Sequence, residues 1–401
     1  MTCFVVENIP IKGVTFVDDI LDFMRSSLDV MCRLVSDEVF EKENRLKFKP
    51  TKCKVMYNGN TGDLVFTLDE VELDLVDEHV YLGTIVEMFG RNKDVAKRIK
   101  DAQGVVNEIV LICKTPELAT YRLQFVNILV QSCLCMKVKY GSEMWDDLSK
   151  KQRKEVDELK VKTVKRVMEV SHSTPSIAIQ CEFGLMDMSL EIALGKVLFT
   201  LKILKSCEDR VARRLLKAML SKSVPGYCSH VRSICREIFG TTVEELLSYD
   251  GDVKDWLKKA AYKVQEERLV LQMLKSSKTN AILLHSFQFD GKRKAYLNFP
   301  FQEAKIIFQL RTRMFLTKDN FPGRWIGRNC NICGRLDTDQ HLFTCSGYKD
   351  LLGGLKYQMF VDLTASDELL REGATQLIKV NERLKIIQEA GCRVDDEGNE
   401  S

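Results

Sequence analysis

The spacing of the apolar residues changes near residue 90. Before that point, β-branched and aromatic runs predict short strands over residues 14–17, 53–57, 64–68 and 80–86. The second and third runs flank the turn residues 58–62, which predicts that they form a hairpin. Ser26 and Ser27 are typical helix N-caps, and the apolar residues after them predict a helix to about Leu46.

From about residue 91, apolar residues recur every three or four positions, which predicts helix for nearly all of the remaining chain. The clearest stretches are 95–106, 116–138 and 146–170, and several more helices are predicted in 186–320. Thr174 and Pro175 predict a helix start, and Gly184 predicts the end of that helix. We therefore expect a mostly α protein with a small α+β N-terminal part.

Composition narrows the class of protein more than its function. Of the 401 residues, 45% are hydrophobic and 29% are charged, which is typical of globular domains. The net charge of +3 creates no overall field that attracts nucleic acid, so such binding needs local patches of charge. The most apolar window, 125–136, is interrupted by polar residues, and we expect no membrane partner.

Cysteine usage and the N-terminus bear on location. The 14 cysteines are scattered through predicted helices, and Met1-Thr2-Cys3-Phe4 lacks the charged and apolar regions of a signal peptide. We therefore expect reduced thiols and an intracellular location, either nuclear or cytoplasmic.

Four residues near the C-terminus have the spacing of a metal site. Cys330 and Cys333 are separated by two residues, and His341 and Cys345 follow within the same sixteen-residue stretch. A Cys-x-x-Cys turn lets both sulfurs face one ion, and the later His and Cys complete a tetrahedral set. Four protein ligands leave no open position, so the pattern predicts structural zinc. The alternative is coincidence in a cysteine-rich chain, but the other ten cysteines lack such spacing.

The stretch Thr15-Phe16-Val17-Asp18-Asp19-Ile20 places two carboxylates after an apolar run. Nucleotidyl transfer uses carboxylates to hold two divalent ions, which stabilise the attacking and leaving oxygens. Taken alone, however, an Asp-Asp pair after a strand is more typical of a solvated turn. The segments that follow this pair along the chain favour the metal-binding interpretation over a solvated turn.

Four further segments follow in a characteristic order. They are 46–56 (LKFKPTKCKVM), 81–83 (YLG), 140–145 (YGSEMW) and 173–185 (STPSIAIQCEFGL). With the Asp pair in front and the Cys/His stretch behind, this order resembles the reverse transcriptases of non-LTR (LINE-type) retrotransposons. Two details depart from that family, since Phe16-Val17 stands where Tyr-Ala or Phe-Ala is usual, and Lys49 stands where Asn is common.

The resemblance implies an RNA-directed DNA polymerase and assigns roles to individual residues. Asp18 and Asp19 would hold Mg²⁺, and Lys52 would lie near the nucleotide phosphates. Tyr81, Leu82 and Gly83 would form a hairpin that grips the primer end. The implied segments are a partial palm (1–90), a helical thumb (91–140), a helical linker region (141–320), a CCHC zinc knuckle (321–349), and C-terminal helices with an acidic tail (350–401).

Basic and aromatic residues surround the predicted knuckle. The basic candidates for nucleic-acid contact are Arg311, Arg313, Arg324, Arg328 and Arg335. Trp325, Phe343 and Tyr348 are available to stack on bases. The expected partners are template RNA and a DNA target or primer, without a small-molecule cofactor. The equally weighted alternative is a solvated rim around a small aromatic core.

A polymerase palm needs a third metal-binding Asp on a neighbouring strand, and in the resembled family it lies more than fifty residues before the pair. Only seventeen residues precede Asp18, and Glu7 is the sole carboxylate among them. We therefore expect a 5′-truncated, C-terminal portion of such an enzyme that is inactive as an isolated chain. Two alternatives stay open: a non-catalytic, zinc-dependent RNA- or DNA-binding module, and a zinc-stapled helical interaction protein.

Overall fold

The computed structural model describes residues 4–6, 9–11, 13–16, 19–24, 26–45, 47–57, 65–88, 92–221, 226–274, 289, 291–321 and 327–392. These residues are mostly helical, with a small strand-containing N-terminal part, which confirms the predicted class at that level. The chain divides into two compact units. The first unit comprises Met1–Asp101, Val138–Glu155 and Ile192–Lys258, and the second comprises Ala102–Lys137, Val156–Glu191 and Lys259–Ser401.

The strands in the described residues are short and pair two by two. Their bounds are β1 Phe4–Val6, β2 Ile9–Ile11, β3 Gly13–Phe16, β4 Asp19–Asp22, β5 Lys54–Val55, β6 Thr67–Leu68, β7 Val71–Glu72, β8 Asp74–Leu75, β9 Glu78–Tyr81 and β10 Thr84–Glu87. The pairs β1–β2, β3–β4, β6–β7 and β9–β10 are antiparallel. Only β5 and β8 pair in parallel among the described strands.

The predicted hairpin between 53–57 and 64–68 is wrong in the described residues. Strand β5 pairs with β8, and β6 turns back to β7 through Asp69 and Glu70. Both turn residues have positive φ, at 52° and 63°, as a two-residue hairpin loop requires. The turn predicted at 58–62 lies entirely outside the described residues.

Helix α1, Ser27–Asn44, confirms the helix predicted after Ser26. The Ser26 hydroxyl accepts a hydrogen bond from the Asp29 amide at 3.2 Å, which satisfies one free N–H of the first turn. Arg45 ends the helix in the left-handed conformation with φ of 52°. Part of the helix packs on a small core whose buried members are Phe66, Leu68 and Leu73.

The described residues from 92 onward are mostly helical, as the sequence predicts. The bounds of these helices are α2 Asn92–Cys113, α3 Pro116–Ala119, α4 Arg122–Leu129, α5 Met136–Lys139, α6 Lys150–Met168, α7 Ser176–Phe183, α8 Met188–Leu204, α9 Val211–Ser221, α10 Tyr227–Ser233, α11 Val243–Ser248, α12 Val253–Leu274, α13 Phe301–Arg311, α14 Asp339–Leu342, α15 Lys349–Leu352, α16 Tyr357–Asp362 and α17 Asp367–Cys392. Two π-helical segments, Val130–Cys135 and Ile234–Ile238, continue α4 and α10. Short 3₁₀ turns lie at Pro50–Lys52, Ser142–Met144, Ala295–Asn298 and Ser346–Tyr348.

The helix predicted over 116–138 is interrupted between α3 and α4. The Thr120 carbonyl at the break accepts a hydrogen bond from the Phe301 amide at 2.7 Å, so a distant segment satisfies it. Gly184, by contrast, ends α7 as predicted, with φ of 62°. A side chain there would also lie 2.7 Å from the Gly291 backbone, so the position has no room for a Cβ.

Two general features of the described residues complete the fold. No described helix is both long enough and apolar enough to cross a bilayer. No disulfide bond joins the cysteines whose side chains the structure describes. The proposed acidic tail, 393–401, lies outside the described residues.

Candidate functional site

The segment that carries Cys330 and Cys333 folds into a tight turn. The Cys330 amide donates to the Arg335 carbonyl at 2.7 Å, and the Gly334 amide donates to the Cys330 carbonyl at 3.0 Å. Gly334 has φ of 74°, a conformation that favours glycine. This turn brings both thiols to the same side of the segment.

The other two candidate ligands are placed by the short helix α14. Its N-cap Thr338 accepts from the His341 amide at 3.1 Å, which fixes the backbone of the histidine. Cys345 follows the end of the helix and begins the turn Ser346–Tyr348. The helix and the turn together point His341 and Cys345 at the two earlier cysteines.

The four ligand atoms lie within 4.8 Å of one another. The Cys345 sulfur is 3.9 Å from that of Cys330 and 3.8 Å from that of Cys333. A tetrahedral site with metal–sulfur bonds of about 2.3 Å requires sulfurs about 3.8 Å apart, whereas a disulfide requires about 2.05 Å. The Cys333 sulfur and His341 Nε2 are closer, at 3.1 Å. These residues can therefore hold one metal ion.

The electrostatic environment differs among these ligands. A backbone hydrogen bond from Arg335 lowers the pKa of Cys333, which favours its thiolate. Burial lowers the pKa of His341, which favours the neutral imidazole that binds metals. Burial raises the pKa of Cys345 to about 12. A cation in the centre would therefore have to displace the proton of that thiol on binding.

A layer of hydrogen bonds supports the turn and helix α14. Asp337 accepts from the Lys318 amide at 2.9 Å, and the Lys318 ammonium donates to Asn331 at 2.6 Å. Asp339, which is nearly fully buried, accepts from Asn320 at 2.8 Å. Burial raises the pKa of Asp339 to about 7. Residues 318–320, which precede the cluster in the sequence, thus support the turn and helix α14 through hydrogen bonds.

Two of the predicted basic residues lie on the surface of this turn. Arg328 and Arg335 are both exposed. The Arg335 carbonyl accepts from Cys330, and the Arg328 carbonyl accepts from Asp337 at 2.9 Å, so the two arginines flank the same short ladder. Exposed Ile332 and Leu336 lie on the same turn. Arg324 and Trp325 lie outside the described residues.

Arg311 requires a correction, because it lies inside the protein with only 7% of its surface exposed. Its guanidinium donates to both carboxylate oxygens of Glu182, at 2.9 to 3.2 Å, and to the Phe360 carbonyl at 3.1 Å. Tyr296 donates to the same carboxylate at 2.7 Å. A guanidinium engaged in this way has no free face for a phosphate, so Arg311 belongs to the core.

Arg313 and Phe343 are partly buried and Tyr348 is buried. Arg313 is half-buried and has positive φ. The Phe343 ring packs against Tyr357 and Phe360, with ring centroids 5.9 and 5.8 Å away. Tyr348 is 1% exposed. For Phe343 and Tyr348 the structure favours the alternative of a small aromatic core.

Of the Asp pair, Asp19 begins β4, which forms a hairpin with β3. Phe16 pairs with Asp19 in an antiparallel register, and Val17 and Asp18, which connect the strands, lie outside the described residues. Asp22, in the last position of β4, accepts from Arg33 at 2.8 Å and so joins the hairpin to α1. Lys52 is exposed in the 3₁₀ turn Pro50–Lys52.

Tyr81, Leu82 and Gly83 lie at the tip of the β9–β10 hairpin. Tyr81 pairs with Thr84, and the two residues between them have positive φ of 48° and 74°. This is the backbone of a two-residue type I′ turn, in which glycine at the second position is favoured. The hairpin form therefore agrees with the shape that the family resemblance implies for this motif.

The hairpin tip is bonded to the 140–145 motif. The Tyr140 hydroxyl donates to the Leu82 carbonyl at 2.9 Å, and Arg98 donates to the Gly83 carbonyl at 2.6 Å. The Arg98 guanidinium also lies 4.9 Å from the centre of the Tyr140 ring. The motifs 81–83 and 140–145, which the sequence relates only by their order, are therefore in contact in the structure.

Sequence reasoning missed the residue at the centre of this cluster, Asp94. This buried carboxylate accepts from the Ile85 amide at 3.1 Å and from the Trp145 indole at 2.7 Å. Arg98 lies one helical turn further along α2, at 3.8 Å. The signal in the sequence was the Asp94–Arg98 spacing of four, which also describes many solvent-exposed pairs.

Comparison with known proteins adds no relative to this picture. No protein-family model matches the chain, and neither the curated proteins nor the solved structures give a match. The resemblance to retrotransposon reverse transcriptases therefore depends on the motifs and their order.

Proposed function

We propose that this chain is a nucleic-acid-binding portion of a non-LTR retrotransposon reverse transcriptase, in which a zinc-stabilised knuckle contacts RNA or DNA. The observation that carries the proposal is the cluster of Cys330, Cys333, His341 and Cys345, with two exposed arginines on its turn. The order of the five sequence motifs supplies the link to reverse transcription.

Zinc is the metal that this donor set favours. Three thiolates and one imidazole are typical of structural zinc sites, whereas Mg²⁺ prefers oxygen ligands. Four protein ligands leave no position for water or substrate, so the ion would stabilise the turn without taking part in catalysis. The buried state of Cys330, His341 and Cys345 fits a structural role.

The surface of the knuckle provides chemistry suited to a single strand. Arg328 and Arg335 can each bind a phosphate through two parallel N–H groups. Ile332 and Leu336, at 40% and 48% exposure, offer apolar surface to the face of an unpaired base. Arg311 takes no part in this interface, because its guanidinium is already hydrogen-bonded to the Glu182 carboxylate.

Binding of a labelled single-stranded RNA tests the proposal. We expect the double variant Arg328→Ala/Arg335→Ala to bind about tenfold more weakly, and its dependence on log salt to fall by about 1.4, for two lost phosphate contacts. The matched control is Arg210→Ala/Arg236→Ala, which removes the same charge from exposed positions in the first unit. Equal losses in both double variants would contradict a site on the knuckle.

The polymerase role rests on the resemblance, with Asp18 and Asp19 as ligands of Mg²⁺, Lys52 near the phosphates and Tyr81-Leu82-Gly83 at the primer end. Among the described strands, β3 and β4 pair only with each other. One hairpin alone does not fix two ions in line, so we expect no primer extension by residues 1–401. Synthesis that Asp18→Ala abolishes would refute this expectation.

A zinc-stapled interaction protein without a nucleic-acid partner is the competing class. Both classes predict the same zinc content, so metal analysis does not separate them. RNA binding separates them, because an interaction protein would contain zinc and yet shift no RNA at low salt. That result would remove the nucleic-acid function and leave the zinc site intact.

A further inference from the structure

A cavity of about 640 Å³ lies in the second unit, between α13 and α17. The turn that follows α6, at Glu169, forms one wall, and the loop that carries Met314, Leu316 and Phe321 forms another. This volume lies within the range of about 300–1,000 Å³ that small-molecule sites occupy. The loop continues directly into the segment that supports the Cys/His cluster.

The polar residues of the cavity are arranged on two helix faces. Gln302, Lys305 and Gln309 follow one another at spacings of three and four on α13, which places them on one side of that helix. Asn381 and Lys385 are four positions apart on α17, which places them on one side of that helix. Two lysines and three amides thus line one space.

The lining of the cavity carries two lysines, Lys305 and Lys385, and two carboxylates, Glu169 and Glu382, and two further cations outside the lining also pair with Glu169. Glu169 accepts from Arg122 at 3.0 Å and also lies 3.7 Å from both Lys114 and Lys305. Lys385 adds a fourth cation, and Glu382 is the second carboxylate of the lining. Burial lowers the pKa of Lys305, the Glu169 carboxylate opposes this shift, and repulsion from Arg122 and Lys385 adds to it. Glu169 is shared among three cations, so an anion bound beside Lys305 and Lys385 would reduce the remaining repulsion between these two lysines.

We propose that this cavity binds one nucleotide. Lys305 and Lys385 hold its phosphate, Phe321 and its apolar neighbours cover one face of the base, and the amides of Gln302, Gln309 and Asn381 read the base edge. Amide groups match the donors and acceptors of a base edge, and an unstacked base needs an apolar wall. The nucleotide can be free or part of a strand. Binding of a nucleotide within a strand rests on the proposed function, whereas binding of a free nucleotide does not.

The test measures binding of each of the four ribonucleoside monophosphates by calorimetry. A second arm crosslinks an eight-nucleotide oligouridine that contains 4-thiouridine, followed by mapping of the crosslinked peptide. Lys305→Gln/Lys385→Gln removes both phosphate contacts and keeps polar side chains of similar length. Lys356→Gln/Lys379→Gln is the matched control, because it removes the same charge from two exposed lysines of the second unit that do not line the cavity.

We expect the double variant to weaken binding or crosslinking at least tenfold and the control to leave both unchanged. Monophosphate binding supports a free-nucleotide site, and crosslinking limited to the oligonucleotide at 314–321 or 378–385 supports a strand site. Absence of both, or equal signals in the double variant and wild type, would overturn the proposal. If RNA binding then still depends on Arg328 and Arg335, only the cavity proposal fails.

Discussion

The knuckle and the β9–β10 hairpin are two small turns with different sources of order. In the knuckle, all four ligands lie within sixteen residues, and a metal ion can join them directly. The hairpin is held by partners from far along the chain, since Trp145 bonds Asp94 across 51 positions and Tyr140 bonds Leu82 across 58. A local set of ligands leaves a spacing signature in the sequence, whereas partners brought together by tertiary folding leave none.

Loss of a metal ligand gives the largest expected effect and separates the two turns most clearly. Cys345→Ser removes a ligand that is 2% exposed, so we expect zinc to fall from about one ion per chain to nearly none. Hydrogen exchange should then become fast over 328–348, because metal binding supplies the folding free energy of such sites. Exchange over 78–87 should not change.

The matched control for this substitution is Cys207→Ser, at an exposed cysteine outside the cluster. It should retain zinc and wild-type exchange throughout. Full zinc content in Cys345→Ser would show that the cluster does not bind the ion as described.

The buried ion pair of Glu182 and Arg311 is the next most sensitive point. These residues lie 129 positions apart, so the pair resembles the hairpin in depending on the tertiary fold. Arg311→Ala leaves the Glu182 carboxylate buried without its cation, and we expect the free energy of unfolding to fall by about 3–5 kcal/mol in denaturant titrations. Arg383→Ala, which breaks an exposed pair with Asp350, should cost under about 1 kcal/mol. Similar losses in the free energy of unfolding for both variants would contradict a buried ion pair at Arg311.

Asp157 makes a tertiary contact sensitive to pH. It accepts from the Ser189 amide and hydroxyl at 2.7 and 2.9 Å, while burial, with the nearby Asp187 charge, raises its pKa to about 6. The folded state therefore binds more protons than the unfolded state between pH 4 and 6. This carboxyl accordingly removes on the order of 2–3 kcal/mol of stability as pH rises through that window.

Asp157→Asn should flatten this part of the stability–pH profile, measured by urea unfolding from pH 4 to pH 7. Asp362→Asn changes an exposed carboxyl and serves as the control. An Asp157→Asn protein with the wild-type slope would mean that Asp157 ionises normally in the folded state.

The smallest expected effect tests the hairpin itself. Trp145→Phe removes the indole donor to Asp94 and keeps most of the buried ring. We expect a loss of about 1–3 kcal/mol, because a buried carboxylate loses one hydrogen bond. Hydrogen exchange should rise over 78–87 and stay constant over 328–348, the reverse of the zinc-ligand variant. A rise in both segments would mean that the two turns do not respond independently.

The same contrast explains how much of the fold the sequence could predict. Helix α1 and the end of α7 follow from local signals, a Ser N-cap and a glycine with positive φ. The break after α3 could not be predicted, because the Phe301 amide that satisfies the Thr120 carbonyl is 181 positions away in sequence. The pairing of β5 with β8 is likewise a non-local choice that short apolar runs do not specify.

The residues of the candidate site also divide into those that local sequence signals predict and those that depend on distant partners. All four cluster residues were predictable, because spacing alone brings them together. The role of Arg311 could not be predicted from its charge, since its partner Glu182 lies on another helix. The apolar residues just before it, such as Ile307 and Phe308, were the available sign of burial. The roles of Asp18, Asp19 and Lys52 stay predictions.

The most direct test of the central claim is the affinity of the intact chain for a labelled single-stranded RNA, with zinc bound and after zinc removal by a chelator. We predict that removal weakens binding at least about tenfold, or about 1.4 kcal/mol, and that added zinc restores it. Equal affinity in both forms, or no binding by the zinc-loaded chain at low salt, would contradict the account.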